Sequence, residues 1–125
     1  MYRVFYQKQN KLGISLEGEL KESEFKDVLR QIKMVCEAYP KVDILIDASA
    51  MRDYDPDLAV DTYDALTDHK DNIRKIAITS KNGIGLYFKD LFKNFENTEF
   101  KKFNSNELDK ARNWVLQPDP TRVFQ

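Results

Sequence analysis

Four aspartates, Asp53, Asp55, Asp57 and Asp64, fall at the first, third, fifth and twelfth places of a calcium-binding loop. Carboxylates at that spacing can wrap a hard cation. The sixth place must turn sharply and takes glycine, whereas here it is Leu58. Pro56 after Asp55 pre-sets a helix start, with Asp55 as its N-cap, and a helix carries the later carboxylates away from a common ion. Asp47 ends one apolar run and Lys81 the next, a placing suited to an acyl-phosphate site. Such a site also needs an acidic pair after the first strand to hold magnesium, and Lys8-Gln9-Asn10 stand there instead.

Gly83-Ile84-Gly85 follows a predicted strand and opens a helix, as a dinucleotide-binding turn does. The third glycine place is Phe88, whose ring holds helix and strand apart, so the glycines read as a tight turn or hinge. The chain has one histidine, His69, and one cysteine, Cys36. A Cys/His zinc set and an intrachain disulfide are therefore excluded. A Ser–His–acid triad would have to use His69, which the helical pattern turns to the buried side. Cys36 falls on an apolar helix face and reads as a structural thiol. No catalytic residue, metal-ligand set or cofactor follows from these residues.

The elements that position them are legible from periodicity. Tyr2 to Gln7 and the alternating run Leu12 to Leu20 form an antiparallel hairpin, with Gly18 marking a bulge or close packing. Ser23 caps a helix whose apolar face is Phe25, Val28, Leu29, Ile32, Val35, Cys36 and Tyr39, ending near Pro40. Val42 to Ala48 is a strand covered on both faces, interrupted by Asp43. The Asp55-Pro56 helix buries Leu58, Thr62, Ala65, Leu66, His69 and Ile73. A strand over Lys75 to Ser80, a helix from Ile84 to Phe95 and a short strand over Glu99 to Phe103 follow. The last helix has Asn104 as cap with Glu107 three residues on, and buries Leu108, Ala111, Trp114 and Val115. The pattern predicts an α/β fold of order ββαβαβαβα, with a mostly parallel sheet, an antiparallel N-terminal hairpin and four flanking helices.

The 125 residues carry 20 basic and 21 acidic side chains, for a net charge of -1. That balance gives no overall field to attract nucleic acid, which is excluded as a partner class. No apolar run approaches the roughly 20 residues that span a bilayer, and no signal-peptide pattern opens the chain. The expectation is one cytoplasmic domain, core about 2–116 with a tail over 117–125. Exposed hairpin edges leave a homodimer open. In the helix from Ile84, the residues Ile84, Tyr87, Phe88, Leu91, Phe92 and Phe95 make an apolar arc. That arc suits a core-facing helix. A sharper reading is a mobile lid or interfacial helix, hinged at Gly83 and Gly85, that presents Leu86, Tyr87, Phe88 and Phe92 to lipid or a partner.

Gly18-Glu19-Leu20 before the Ser23–Phe25 helix start, Val42–Asp47, Asp55-Pro56, Lys75–Ile78, and Phe103 through Trp114-Val115 come in a characteristic order. Over about residues 12–116 this order resembles the STAS fold of anti-sigma-factor antagonists. More specifically, it resembles the divergent SpoIIAA-like family, itself described as similar to Sec14/CRAL-TRIO lipid-binding domains. The resemblance implies a non-enzymatic regulatory or interaction module that binds a protein partner or small ligand, or a carrier of an apolar small molecule with peripheral contact at the inner membrane surface. In partner-switching STAS proteins a phosphorylatable serine opens the helix after the central strand. Asp55-Pro56-Asp57 occupy that place here, and Ser49 lies earlier, so kinase-driven switching is not expected. The expected working surface lies beyond the carboxyl ends of parallel strands. It comprises Asp47, Ser49, Asp53, Tyr54, Asp55, Asp57 and Asp61, with Lys81 and Gly83 on the neighbouring turn.

Overall fold

The computed structural model describes residues 1–52, 56–81 and 83–118, with the backbone alone at 56, 58, 59, 84, 87 and 91. Strands β1 (Tyr2–Lys8) and β2 (Lys11–Gly18) form the hairpin, turned through Gln9 at φ 54. Their register slips between Val4 and Tyr6. Strand alternation packs Tyr2 and Val4 on one face of the sheet and Phe5 on the other. Gly18 ends β2 at φ 63, a conformation that glycine takes without strain.

Helix α1 (Glu22–Ala38) buries Phe25, Val28, Leu29, Ile32, Val35 and Cys36. It starts before Ser23, because the Glu24 carboxylate accepts the Lys21 N–H at 3.2 Å and closes the first turn. Tyr39 leaves the apolar face as the extended C-cap residue, since the following Pro40 disfavours helical geometry there. Strand β3 (Val42–Met51) runs longer than its apolar core suggests, and α2 (Pro56–Leu66) follows. The expected Asp55 cap lies outside the described residues. Beyond Leu66 the chain tightens into a 3-10 turn, Thr67–Asn72, where the Thr67 hydroxyl donates to the Tyr63 carbonyl at 2.7 Å. The tighter winding breaks the α phase. His69 is therefore half-buried and not in the core, and Ile73 opens β4 (Ile73–Ser80).

Helix α3 (Ile84–Phe92) stops one turn earlier than predicted. Phe95 remains buried through a turn in which its N–H donates to the Phe92 carbonyl at 2.9 Å. After β5 (Glu99–Asn104) comes α4 (Leu108–Val115). Asn104 does not cap it. The Glu107 carboxylate accepts the Asn104 N–H at 2.9 Å within the preceding turn, and Glu107 is itself the cap residue.

The five strands lie in sequence order, β1 antiparallel to β2 and the rest parallel. Right-handed crossovers that always step the same way leave their helices on one face. There α1, α2 and α3 cover the main core, built on Leu12, Ile14, Ile44, Ile46, Ile76 and Ile78. Among the described residues, the opposite face carries α4 as its one helix, over β3, β4 and β5. Its smaller core joins Leu45 and Ala77 to Ala111, Trp114 and Val115. Phe5 closes its open side by lying over Gly13, where a Cβ would come within 2.9 Å of the ring. Among the described residues no helix is long and apolar enough to cross a membrane.

Candidate functional site

Alternation along β3 sends Ile44, Ile46 and Ala48 into the main core, leaving Leu45, Asp47 and Ser49 on the α4 face. Asp47 Oδ1 accepts the Ser49 N–H at 3.1 Å and the buried Thr79 hydroxyl at 2.7 Å. The carboxylate thus ties the ends of β3 and β4 together. Ser49 Oγ is buried and has no hydrogen-bond partner among the described residues. Asp57 in the first turn of α2 and Asp61 one turn later are exposed, as are Lys81 and Gly83 between β4 and α3. The expected surface therefore divides in two. Asp47 and Ser49 lie together on the α4 face, while Asp57, Asp61, Lys81 and Gly83 belong to the loops and helices of the other layer. Asp53, Tyr54 and Asp55 lie outside the described residues.

The proposed membrane-facing set is corrected at two positions. Phe88 and Phe92 are buried, because their side of α3 faces β4 and β5. Phe92 lies 6.0 Å from the Phe88 ring, 6.1 Å from Phe100 and 4.9 Å from Phe95. Leu86 is exposed, and the side chain of Tyr87 lies outside the description. Gly85 is explained by close approach: a Cβ there would sit 2.8 Å from Ser80 Oγ and 2.9 Å from Lys102 Cε.

A second charged constellation lies at the amino ends of the parallel strands, and periodicity alone did not find it. Register places Lys11 beside Asp43 and Asp43 beside Lys75 on three adjacent strands. A register shift next to Asp43 leaves Arg74 as an extra residue, and such a bulge re-aims its side chain. Asp43 is fully buried and pairs with both Lys11 and Arg74, whose Nε donates at 2.9 Å. Lys75 Nζ donates to the Trp114 carbonyl at 3.1 Å and to Gln117 Oε1 at 3.3 Å, and Lys11 Nζ to the Gln117 carbonyl at 3.1 Å. These ammonium groups satisfy carbonyls at the carboxyl end of α4, where the helix dipole favours cations. Burial lowers the pKa of Lys75, and the nearby Asp43 charge opposes that shift. The visible signal was an aspartate breaking an otherwise apolar strand. Cys36 sits apart from both clusters, and burial pushes its thiol up to about 11.

The SpoIIAA-like family profile matches residues 12–116. The chain belongs to the SpoIIAA-like family. A solved structure agrees: an uncharacterized protein of the DUF3478 family with a SpoIIAA-like fold, from Shewanella loihica PV-4. It superposes with a TM-score of 0.67 at 17% identity, covering 91% of this chain and 93% of that one. At that identity the likeness shows the fold. No curated protein matches. The SpoIIAA-like assignment accounts for the sheet, with its antiparallel first strand and otherwise parallel order, and for the four helices around it. It makes the chain a STAS-like module.

Proposed function

We propose that this SpoIIAA-like chain is a non-enzymatic regulatory or interaction module that binds a protein partner through the α2–α3 corner. The observation that carries the reading is the exposure of Asp57 and Asp61 on the first turns of α2, with Lys81 and Gly83 exposed after the neighbouring strand. Carboxylates at a helix N-terminus are stabilised by its dipole, and they offer a fixed acidic face to a basic patch on a partner. Ser49 does not supply the serine of partner-switching STAS proteins, since it lies within β3 with its hydroxyl oxygen buried. Three groups with chemical potential are engaged in holding the fold. Asp43 is enclosed by cations, Lys75 binds the end of α4, and the Cys36 thiol is buried and held protonated.

The alternative is an apolar-ligand carrier of the CRAL-TRIO kind, associated with membrane surfaces through α3. It has less support, because Phe88, Phe92, Phe95 and Phe100 pack against one another where such a ligand would lie. Native mass spectrometry of gently purified protein separates the two. A stoichiometric protein complex is expected, and a co-purifying lipid in its place contradicts the reading.

A further inference from the structure

Among the described residues, the α4 face has an uncovered corner. Helix α4 spans β3 to β5, and Phe5 closes only the part of β1 and β2 around Gly13. Above Phe5 lies an open cleft of about 220 Å³ lined by Arg3, Phe5, Ser15, Asp47, Leu108 and Arg112. Ser15 and Asp47 bring polar groups to its lining. Ser15 is buried, and its hydroxyl reaches Glu17 Oε1 only at 3.4 Å. The Asp47 hydrogen bonds from Ser49 and Thr79 both end on Oδ1, which leaves Oδ2 to the cleft. The two guanidinium groups are held loosely, Arg3 at 3.8 Å from Glu17 and Arg112 at 3.8 Å from Asp109.

The lining combines a carboxylate and a hydroxyl, Asp47 and Ser15, with two guanidinium groups and the apolar Phe5 and Leu108. A simple anion meets Asp47, and a simple cation meets two arginines. We propose that this cleft binds a small α-amino carboxylic acid with an apolar side chain. The ligand carboxylate takes the planar donors of Arg3 and Arg112. Its ammonium donates to Asp47 Oδ2 and Ser15 Oγ, and its side chain lies on Phe5 and Leu108. The site lies in the other layer from the α2–α3 corner and does not depend on the partner-binding reading.

The test is an amide-shift titration of the full chain with L-leucine, glycine, 4-methylpentanoate and isopentylamine. L-leucine is expected to give saturable shifts at Ser15, Asp47 and Arg112 at millimolar concentration, with the other three binding at least about fivefold more weakly. Arg112→Gln should weaken leucine about tenfold, and Asp47→Asn should abolish the preference for leucine over 4-methylpentanoate. Unchanged Trp114 emission reports that each variant folds. Absence of saturable shifts up to about 50 mM, well above ordinary weak-ligand concentrations, overturns the proposal. Equal binding of all four probes does so as well, whatever the variants do.

Discussion

Replacing Asp43 with asparagine removes one charge from the most buried ionic cluster and changes little in shape. The carboxylate is fully buried, Lys75 is 7% exposed, and the Lys11 and Arg74 side chains are 12% and 18% exposed. Lys11, Arg74 and Lys75 then lose the carboxylate they share. Breaking a buried ion pair by removing one partner costs about 3–5 kcal/mol. Lys11 and Arg74 can turn partly to water, which places the expected loss near 3 kcal/mol, at the low end of that range. With an unfolding entropy of about 2.1 cal/mol/K per residue, that loss lowers Tm by about 11 °C for a domain of this size. Trp114 is the single tryptophan, and it lies on α4 with Lys75 Nζ 5.1 Å from its ring. Its fluorescence in urea therefore follows both unfolding and the seating of α4. A further Arg74→Met change in the Asp43→Asn background should restore part of the loss by removing one of the mutually repelling cations. A loss under about 1 kcal/mol, the range of exposed pairs, would show that the cluster behaves as a solvated surface feature.

Three further outcomes follow from the packing. The Cys36 thiol ionises near 9.0 when unfolded and near 11 when folded, so its contribution is whole below about pH 9 and is lost as pH rises to about 11. The stability difference between the native chain and Cys36→Ala should accordingly shrink by about 2 kcal/mol across that window in urea melts, and a flat difference would refute the buried assignment. Gly85→Ala places a Cβ against Ser80 and Lys102. Lys102 is exposed and can swing aside, so the cost rests on the buried Ser80 hydroxyl and offsets the roughly 1 kcal/mol helix-propensity gain of alanine; thermal unfolding should not move up. Phe92→Ala removes the ring between Phe88, Phe95 and Phe100 and should cost about 3–5 kcal/mol; a near-neutral result would revive the mobile-lid reading.

Elements with an unambiguous period were legible in the sequence. The hairpin, the buried face of α1, the apolar runs of β3 and β4 and the order of elements follow from side-chain spacing alone. Ends set by a reciprocal side chain were misplaced. Ser23 outranks Lys21 as a cap by residue type, yet the cap contact is made by Glu24, and Asn104 yields to Glu107 in the same way. His69 was misjudged because α phase was extended through a 3-10 turn. Phe88 and Phe92 could be read as core or lid, since an apolar arc does not say what it faces. Pairing residues were the hardest to see. Lys11, Asp43 and Lys75 stand far apart in the chain and meet only through strand register, which periodicity within one strand does not contain. The cleft beside α4 depends in the same way on how far one short helix reaches across the sheet.

The central claim is that the exposed acidic turn of α2 is read by a partner. It is tested most directly by quantitative affinity capture of the native chain beside Asp57→Lys/Asp61→Lys and Leu86→Ser, each checked for folding by Trp114 emission. The account predicts a stoichiometric partner held by the native chain and by Leu86→Ser, and lost from the charge-reversed variant. Retention by the charge-reversed variant, or loss on Leu86→Ser alone, would contradict it.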